Sequence, residues 1–265
     1  MHILIMTDIE GVAGVVKPLV DTTGGNVNYP RNCRLLTEEV NAAVRGFMQA
    51  GASAVTVWDG HGCGAIDFET LQPPARLIHG GPTPPLVWLF SRLAGRFNAI
   101  AHVGQHAMAG ERSGNLNHTQ SSAEIISYTL NGREIGEIAQ FALLAGSFGL
   151  PYIFLSGDQA ACREAEELQP GIVTAAVKEG LGRASALTLT CIEARALIEQ
   201  QAGLALRQHL QHPLPPVRWP GPYILRKSFF HTEVTDMYLG DANVRVLDNH
   251  TVELRGESIP EIIYK

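Results

Sequence analysis

What the chain does without narrows its chemistry first. No G-x-G-x-x-G turn follows its first strand and no Walker A loop occurs, which argues against dinucleotide and P-loop readings. No G-x-S-x-G elbow is present, so a serine nucleophile of that type lacks its seat. Cysteine is scarce and scattered, at Cys33, Cys63, Cys162 and Cys191, with no C-x-x-C pair; reduced thiols in the cytoplasm are the expectation. Positive charge is in short supply. Twenty Lys and Arg against 26 Asp and Glu leave a net charge of -6 and a pI near 5.9, which argues against a nucleic acid or an anionic membrane as partner. No apolar run has transmembrane length, and the N-terminus lacks the basic flank and cleavage site of a signal peptide. With 45% hydrophobic residues and a mean hydropathy of +0.04, the 265-residue chain reads as soluble and globular, one large domain or two smaller ones.

What is present centres on the first eleven residues. Ile3 to Met6 reads as a buried strand of an α/β sheet, ending in Thr7-Asp8-Ile9-Glu10-Gly11. Residues two apart on an extended chain share a side, so Asp8 and Glu10 converge at the strand's carboxyl end, where open α/β sheets bind ligands. Two acids with no basic neighbour repel unless a proton or cation sits between them. A solvated turn is the competing reading.

Residues 12–30, rich in Gly, Thr, Asn and Pro, read as a long loop over that edge. Residues 32–50 follow helical spacing, with Gly51 as C-cap. Strands are expected at 54–58, 77–78, 99–103, 124–130, 151–155 and 172–177, with Asn131-Gly132 as a hairpin turn. Helices are expected at 86–93, from Gly136-Glu137 towards Gly149, at 159–168 and at 193–211. Lys178 to Gly182 reads as a glycine-rich segment after its strand, and 184–189 fits no period. Beyond Pro213 the pattern changes to strand-like segments at 223–229, 244–247 and 251–254. The fold class expected is α/β, a mainly parallel sheet flanked by helices, with a smaller C-terminal α+β part; the division falls at 1–189 and 190–265.

Three strand ends deliver metal-competent side chains: Asp8 and Glu10, then His61, then His106. Glu137 arrives at the start of a helix. Mixed carboxylates and imidazoles suit zinc or a related divalent ion, and a carboxylate with two oxygens can bridge a pair. His118 lies in a loop beside Asn115, Asn117 and Thr119, as a proton donor or nucleophile near metals or as an exposed loop histidine. Cys63 is a soft ligand or a small buried thiol. Asp59 either orients His61 or closes a turn. His209 and His212 serve a helix C-terminus, and Asp158 an N-cap. His79, His102, His231 and His250 have no visible partners.

Thr7-Asp8-Ile9-Glu10-Gly11, Asp59-Gly60-His61, Gly104-Gln105-His106, Asn117-His118 and Gly136-Glu137 stand in the order and spacing of the M55 metallopeptidases, the DppA-type D-aminopeptidases, which the chain resembles over most of its length. Residues 161–168 and 174–178 also look like that family. The resemblance implies two zinc ions, with Asp8 bridging, Glu10 and His61 completing one site, and His106 and Glu137 the other. It implies His118 as the catalytic residue. It further implies hydrolysis of short peptides with a free N-terminus, of the D-Ala-D-Ala type, and a homodecamer of two stacked pentamers whose inner channel residues 190–265 help to line and assemble. Departures from the family's best-known member are Gly60 and Gly62, where serines flank the histidine, and Trp58, which replaces a polar residue. Residues 257–265 resemble the start of the family's C-terminal helix. Rival expectations are a dinuclear hydrolase of another amide or a phosphoester, disfavoured by the lack of a basic cluster, and a non-catalytic ring that binds metal or peptide.

Overall fold

The computed structural model describes residues 1–62, 64–81 and 84–265. Its centre is a seven-stranded sheet in the order β3-β2-β1-β4-β7-β8-β9. These strands are β1 (His2–Thr7), β2 (Ala54–Asp59), β3 (Arg76–Ile78), β4 (Ala99–Gln105), β7 (Tyr152–Asp158), β8 (Val173–Gly182) and β9 (Ser185–Thr188). All neighbours run parallel except β8 and β9. A second sheet, wholly antiparallel, has the order β11-β12-β10-β5-β6. It is built from β5 (Ile125–Leu130), β6 (Arg133–Ile135), β10 (Tyr223–Phe229), β11 (Val244–Asp248) and β12 (Thr251–Gly256).

The pattern of β1 shows why it lies in the middle. Ile3, Leu4 and Ile5 are all fully buried, as a strand covered on both faces requires. Leu4 joins an apolar cluster with Ile100 and Phe141, while Ile3 and Ile5 join another with Val55, Val57 and Phe47. The second cluster lies beneath α1 (Tyr29–Gln49) and α5 (Cys191–Gln211), the latter begun by a capping box of Thr190 and Glu193. The first lies beneath α2 (Leu86–Leu93), α3 (Glu137–Ser147) and α4 (Gln159–Leu168), and it continues into the small sheet through Leu225, Val252 and Leu254. Two short helices complete the chain, α6 (Thr232–Asp236) and α7 (Ile259–Ile262).

Several boundaries differ from the sequence reading. Helix α1 begins at Tyr29, ahead of residue 32, because Pro30 suits the first turn, where its missing N–H leaves no bond unmade. Strand β8 runs on through Lys178 to Gly182, and residues 185–188 return antiparallel to it as β9. Lys178 is buried and its ammonium donates to the carbonyls of Glu10 and Val15 (2.6 Å to the latter) and to Asn115 Oδ1 at 2.8 Å. A charged residue inside a strand is tolerated when its donors are met in this way. The helix α6 carried no sequence signal. Residues 131 and 132 have φ of 52° and 80°, as a tight hairpin turn demands.

The strand order reverses direction at β1 and β4. From β1 the chain builds outward through β2 and β3, then returns to β4 on the other side and builds outward again. Such a switch point leaves a crevice beyond the carboxyl ends of the two strands. Gly104 makes that crevice compact: its φ is +79°, and a Cβ there would lie 2.0 Å from the carbonyl oxygen of Asp8. Asp8 N–H donates to Val103 O at 3.0 Å and Gly11 N–H to Gly104 O at 2.7 Å, tying the turn after β1 to the end of β4.

Candidate metal centre

The crevice opens into a cavity of about 1520 Å³ lined in part by Asp8, Glu10, His61, His118 and Glu137. Asp8 and Glu10 hang from the turn after β1, His61 from the turn after β2 and His106 from the residue after β4. Glu137 opens α3, and His118 sits on the loop between β4 and β5. The six residues expected from the sequence therefore meet in one place.

Asp8 stands between two imidazoles. Its Oδ1 lies 3.1 Å from His61 Nδ1 and its Oδ2 lies 3.1 Å from His106 Nε2. Glu10 Oε2 is 3.3 Å from His61 Nδ1, and Glu137 Oε1 is 3.5 Å from His106 Nε2 and 3.7 Å from His118 Nε2. Donor atoms of Asp8, Glu10 and His106 lie within 4.8 Å of one another, as do those of His106, His118 and Glu137. Two donors held about 2.0–2.1 Å from a tetrahedral zinc ion stand about 3.3 Å apart. The separations from His61 to Asp8 and Glu10, and from His106 to Asp8 and Glu137, cluster about that edge length.

Each imidazole is aimed by a backbone carbonyl. His61 Nε2 lies 2.8 Å from Thr22 O, His106 Nδ1 2.9 Å from Ala107 O, and His118 Nδ1 2.9 Å from Leu116 O. A carbonyl only accepts, so these three nitrogens carry the protons. The opposite nitrogens, His61 Nδ1, His106 Nε2 and His118 Nε2, are left facing the carboxylates. Outer bonds of this kind fix a ligand's tautomer in metal sites. His106 Nε2 and Glu10 Oε2 are fully buried and make no hydrogen bond, a costly arrangement unless another group occupies the space between them.

Charge points the same way. Burial pushes Asp8 upward, but the imidazoles of His106 and His61 close beside it outweigh burial and hold its carboxyl well below the usual range. Burial and the Asp8 charge push Glu10 up to about 7. Burial works against a proton on His61, yet the adjacent carboxylates of Asp8 and Glu10 raise it to about 12. His106 is raised too, the neighbouring Glu137 and Asp8 carboxylates overcoming burial. His118 is lowered, by burial and then by the neighbouring His106, whose ring stacks on it at 3.9 Å. Among the described residues no Lys or Arg pairs with Asp8, Glu10 or Glu137. The cluster demands positive charge at its centre, from protons or from a divalent cation. Its donor set fits zinc.

Other candidates resolve differently. Asp59 accepts from the N–H groups of Ala65 (2.8 Å) and Ile66 (3.3 Å), so it closes a turn. Cys63 lies outside the described residues. Asp158 caps α4 through Ala160 N–H, and His209 accepts from Leu214 N–H. His102 is buried against Tyr152, its Nδ1 2.8 Å from the hydroxyl, and burial lowers it to about 4. His79 stacks on Phe68, and His250 Nδ1 meets Phe229 O. Gly60 is required by packing: a Cβ there would lie 2.5 Å from Met6 Sδ and 2.7 Å from Thr7 O. Sequence reasoning missed Thr22, Arg183 and Tyr264, all of which line the cavity. Thr22 acts through its carbonyl, which no side-chain pattern can reveal.

Comparison with known proteins follows the same lines. The Peptidase_M55 family, described as D-aminopeptidase, matches residues 1–264. A D-aminopeptidase of Bacillus subtilis (strain 168) is 31% identical over 212 residues, which cover 78% of this chain and 74% of the relative. The solved structure of the Zn-dependent D-aminopeptidase DppA from Bacillus subtilis, described as a self-compartmentalizing protease, is similar with a TM-score of 0.89 at 26% identity. That match covers 99% of this chain and 94% of the other.

Proposed function

The chain belongs to the M55 peptidases, the D-aminopeptidase family, and from that premise we propose that it is a dizinc aminopeptidase acting on short peptides with a free N-terminus, of the D-Ala-D-Ala type. The observation that carries the dizinc reading is the position of Asp8, whose two carboxylate oxygens each face a different imidazole at 3.1 Å. Asp8 would then bridge the ions, with Glu10 and His61 completing one site and His106 and Glu137 the other. When bound, the two ions supply Lewis acidity that polarises the scissile carbonyl and stabilises the charge developing on it.

The residues do the rest. Asp8, Glu10 and Glu137 would offset three of the four positive charges that two zinc ions bring and leave room beside them for a substrate amine. His118 is held neutral by burial and by the adjacent His106, and Leu116 O fixes its proton on Nδ1. Its Nε2 is thus free to take a proton from an attacking water, or to attack the carbonyl itself. Gln120 N–H donates to Glu137 Oε1 at 2.7 Å, so the loop that carries His118 also positions a ligand.

The relative described as self-compartmentalizing supports a ring assembly here, with residues 190–265 lining a channel and joining subunits in a decamer of two stacked pentamers. Phe230, Met237 and Leu239 in that part are exposed apolar side chains that such contacts would cover. No helix among the described residues is long and apolar enough to cross a membrane; the compartment proposed is the cytoplasm, in keeping with four scattered cysteines that form no C-x-x-C pair. The test is elemental analysis of the unchelated protein together with hydrolysis of D- and L-dipeptides. Two zinc ions per chain and D-selective cleavage are expected. One ion per chain would remove the bridging role of Asp8, and none after incubation with zinc would end the metallopeptidase reading.

A further inference from the structure

The cavity is not uniformly acidic. Among the described residues that line it, Arg183 is the one arginine or lysine. It sits in the turn between β8 and β9, exposed at the cavity rim, and its guanidinium makes no ion pair or hydrogen bond among the described residues. Its backbone is not free in the same way. Arg183 O accepts from Leu116 N–H at 2.8 Å and from Asn115 Nδ2 at 3.0 Å. Leu116 in turn orients His118. The side chain is thus mounted two residues from the His118 position, on a turn fixed to the same loop.

We propose that Arg183 anchors the C-terminal carboxylate of the substrate, so that the enzyme selects short peptides with a free carboxyl end over amidated or longer ones. The inference rests on the aminopeptidase reading above. A short peptide at neutral pH is a zwitterion, cationic at one end and anionic at the other. The cavity holds the metal-ligand cluster of Asp8, Glu10 and Glu137 in its depth, where the scissile bond would lie, and offers the carboxyl end the planar guanidinium of Arg183. Guanidinium and carboxylate pair through two parallel N–H···O bonds. Each added residue carries the substrate carboxylate about 3.4 Å farther from the scissile bond, so one cation at a fixed place reads peptide length. Arg183 binds and positions; it does not touch the reacting atoms.

The test separates binding from turnover. The zinc-loaded wild type, Arg183→Ala and Arg183→Lys are titrated calorimetrically with a reduced-amide analogue of D-Ala-D-Ala and with its C-terminal carboxamide. Hydrolysis of D-Ala-D-Ala and its amide is followed in parallel, with KM and kcat determined separately. The wild type is expected to bind the free acid about tenfold to a hundredfold more tightly than the amide, the range of a hydrogen-bonded charge pair. Arg183→Ala should collapse that difference, with the loss in KM rather than kcat, and Arg183→Lys should restore part of it. The side chain makes no structural bond, so both variants keep the turn. Equal binding of acid and amide by the wild type, or a preference that survives Arg183→Ala, overturns the anchor. Selective binding through Arg183 without hydrolysis keeps the anchor and ends the aminopeptidase reading. Hydrolysis without carboxylate selectivity does the reverse, and failure of the free-acid analogue to bind removes the anchor.

Discussion

The carboxyl edge of the parallel sheet and the loop of residues 115–120 deliver their groups to the same cavity by opposite means. At the edge, Asp8, His61 and His106 stand at or just beyond the ends of β1, β2 and β4, and strand pairing fixes their spacing before any side chain takes part. The loop has no ladder to lean on. Leu116 and Gln120, on either side of His118, adopt φ of 59° and 61°, a region that L-residues enter at a cost of about 1 kcal/mol each. What holds them there is Arg183 O on one side and Glu137 Oε1 on the other. The difference teaches that the donors at the strand ends are inherited from the sheet, while His118, proposed here for proton transfer, is held by borrowed contacts.

Substitution can break that contrast at its strongest point. Asp8→Ala removes the group common to both halves of the centre, so zinc falls below one ion per chain and dipeptide hydrolysis drops by roughly ten-thousandfold; full zinc in this variant would mean that the sheet edge does not organise the metals. His118→Ala should lower kcat by about a hundredfold to ten-thousandfold while elemental analysis still finds the wild-type zinc content. Loss of an ion along with activity would make His118 a ligand, as its closeness to His106 and Glu137 allows. Lys178→Met acts on both regions at once, because Lys178 ties the carbonyl of Glu10 to Asn115 of the loop. Leaving these buried acceptors unpaired should destabilise the fold by about 3 kcal/mol in denaturant titration, with zinc and turnover declining together. Turnover alone declining would assign Lys178 to the loop.

Glu39→Gln tests the edge through pH. Glu39 on α1 accepts from Ala13 N–H at 2.9 Å, its second oxygen has no partner, and burial raises its carboxyl to about 7 from 4.5. The folded chain therefore holds this proton more tightly than the unfolded chain. Its stabilising contribution is full below pH 4.5 and lost as pH rises to about 7. The glutamine variant should have a higher Tm than wild type at pH 8, by a stability difference of about 1–3 kcal/mol, and no advantage at pH 4.5. An equal Tm at pH 8 would show that Glu39 carries no such buried charge beneath the turn after β1.

The same contrast governs what the amino-acid sequence discloses. Asp8, Glu10, His61 and His106 were legible because buried strands are short apolar runs, and whatever follows one emerges at a known edge. His118 remained divided between two roles, because a loop position has no period to read. Strand β8 was cut short at Lys178, since a lysine ends an apolar run unless distant oxygens satisfy it, and those oxygens belong to residues more than sixty positions away. The small sheet joins β5 and β6 to β10, across nearly a hundred residues, by pairing that no local pattern encodes. Arg183 carries no signal in the sequence, and only the fold brings its turn to the cavity.

The carbonyls of Thr22, Ala107 and Leu116 that aim the three imidazoles have a consequence for how this centre withstands genetic change. Every amino acid, proline included, brings a carbonyl oxygen. No point substitution can delete these three acceptors, whereas a side-chain acceptor in the same place could be lost in a single step. The centre's wiring is therefore insulated from drift in residue identity and exposed to insertions and deletions, which move backbone. An engineer wishing to re-aim His61, His106 or His118 has to change the length of the loops around residues 22, 107 and 116, not their letters.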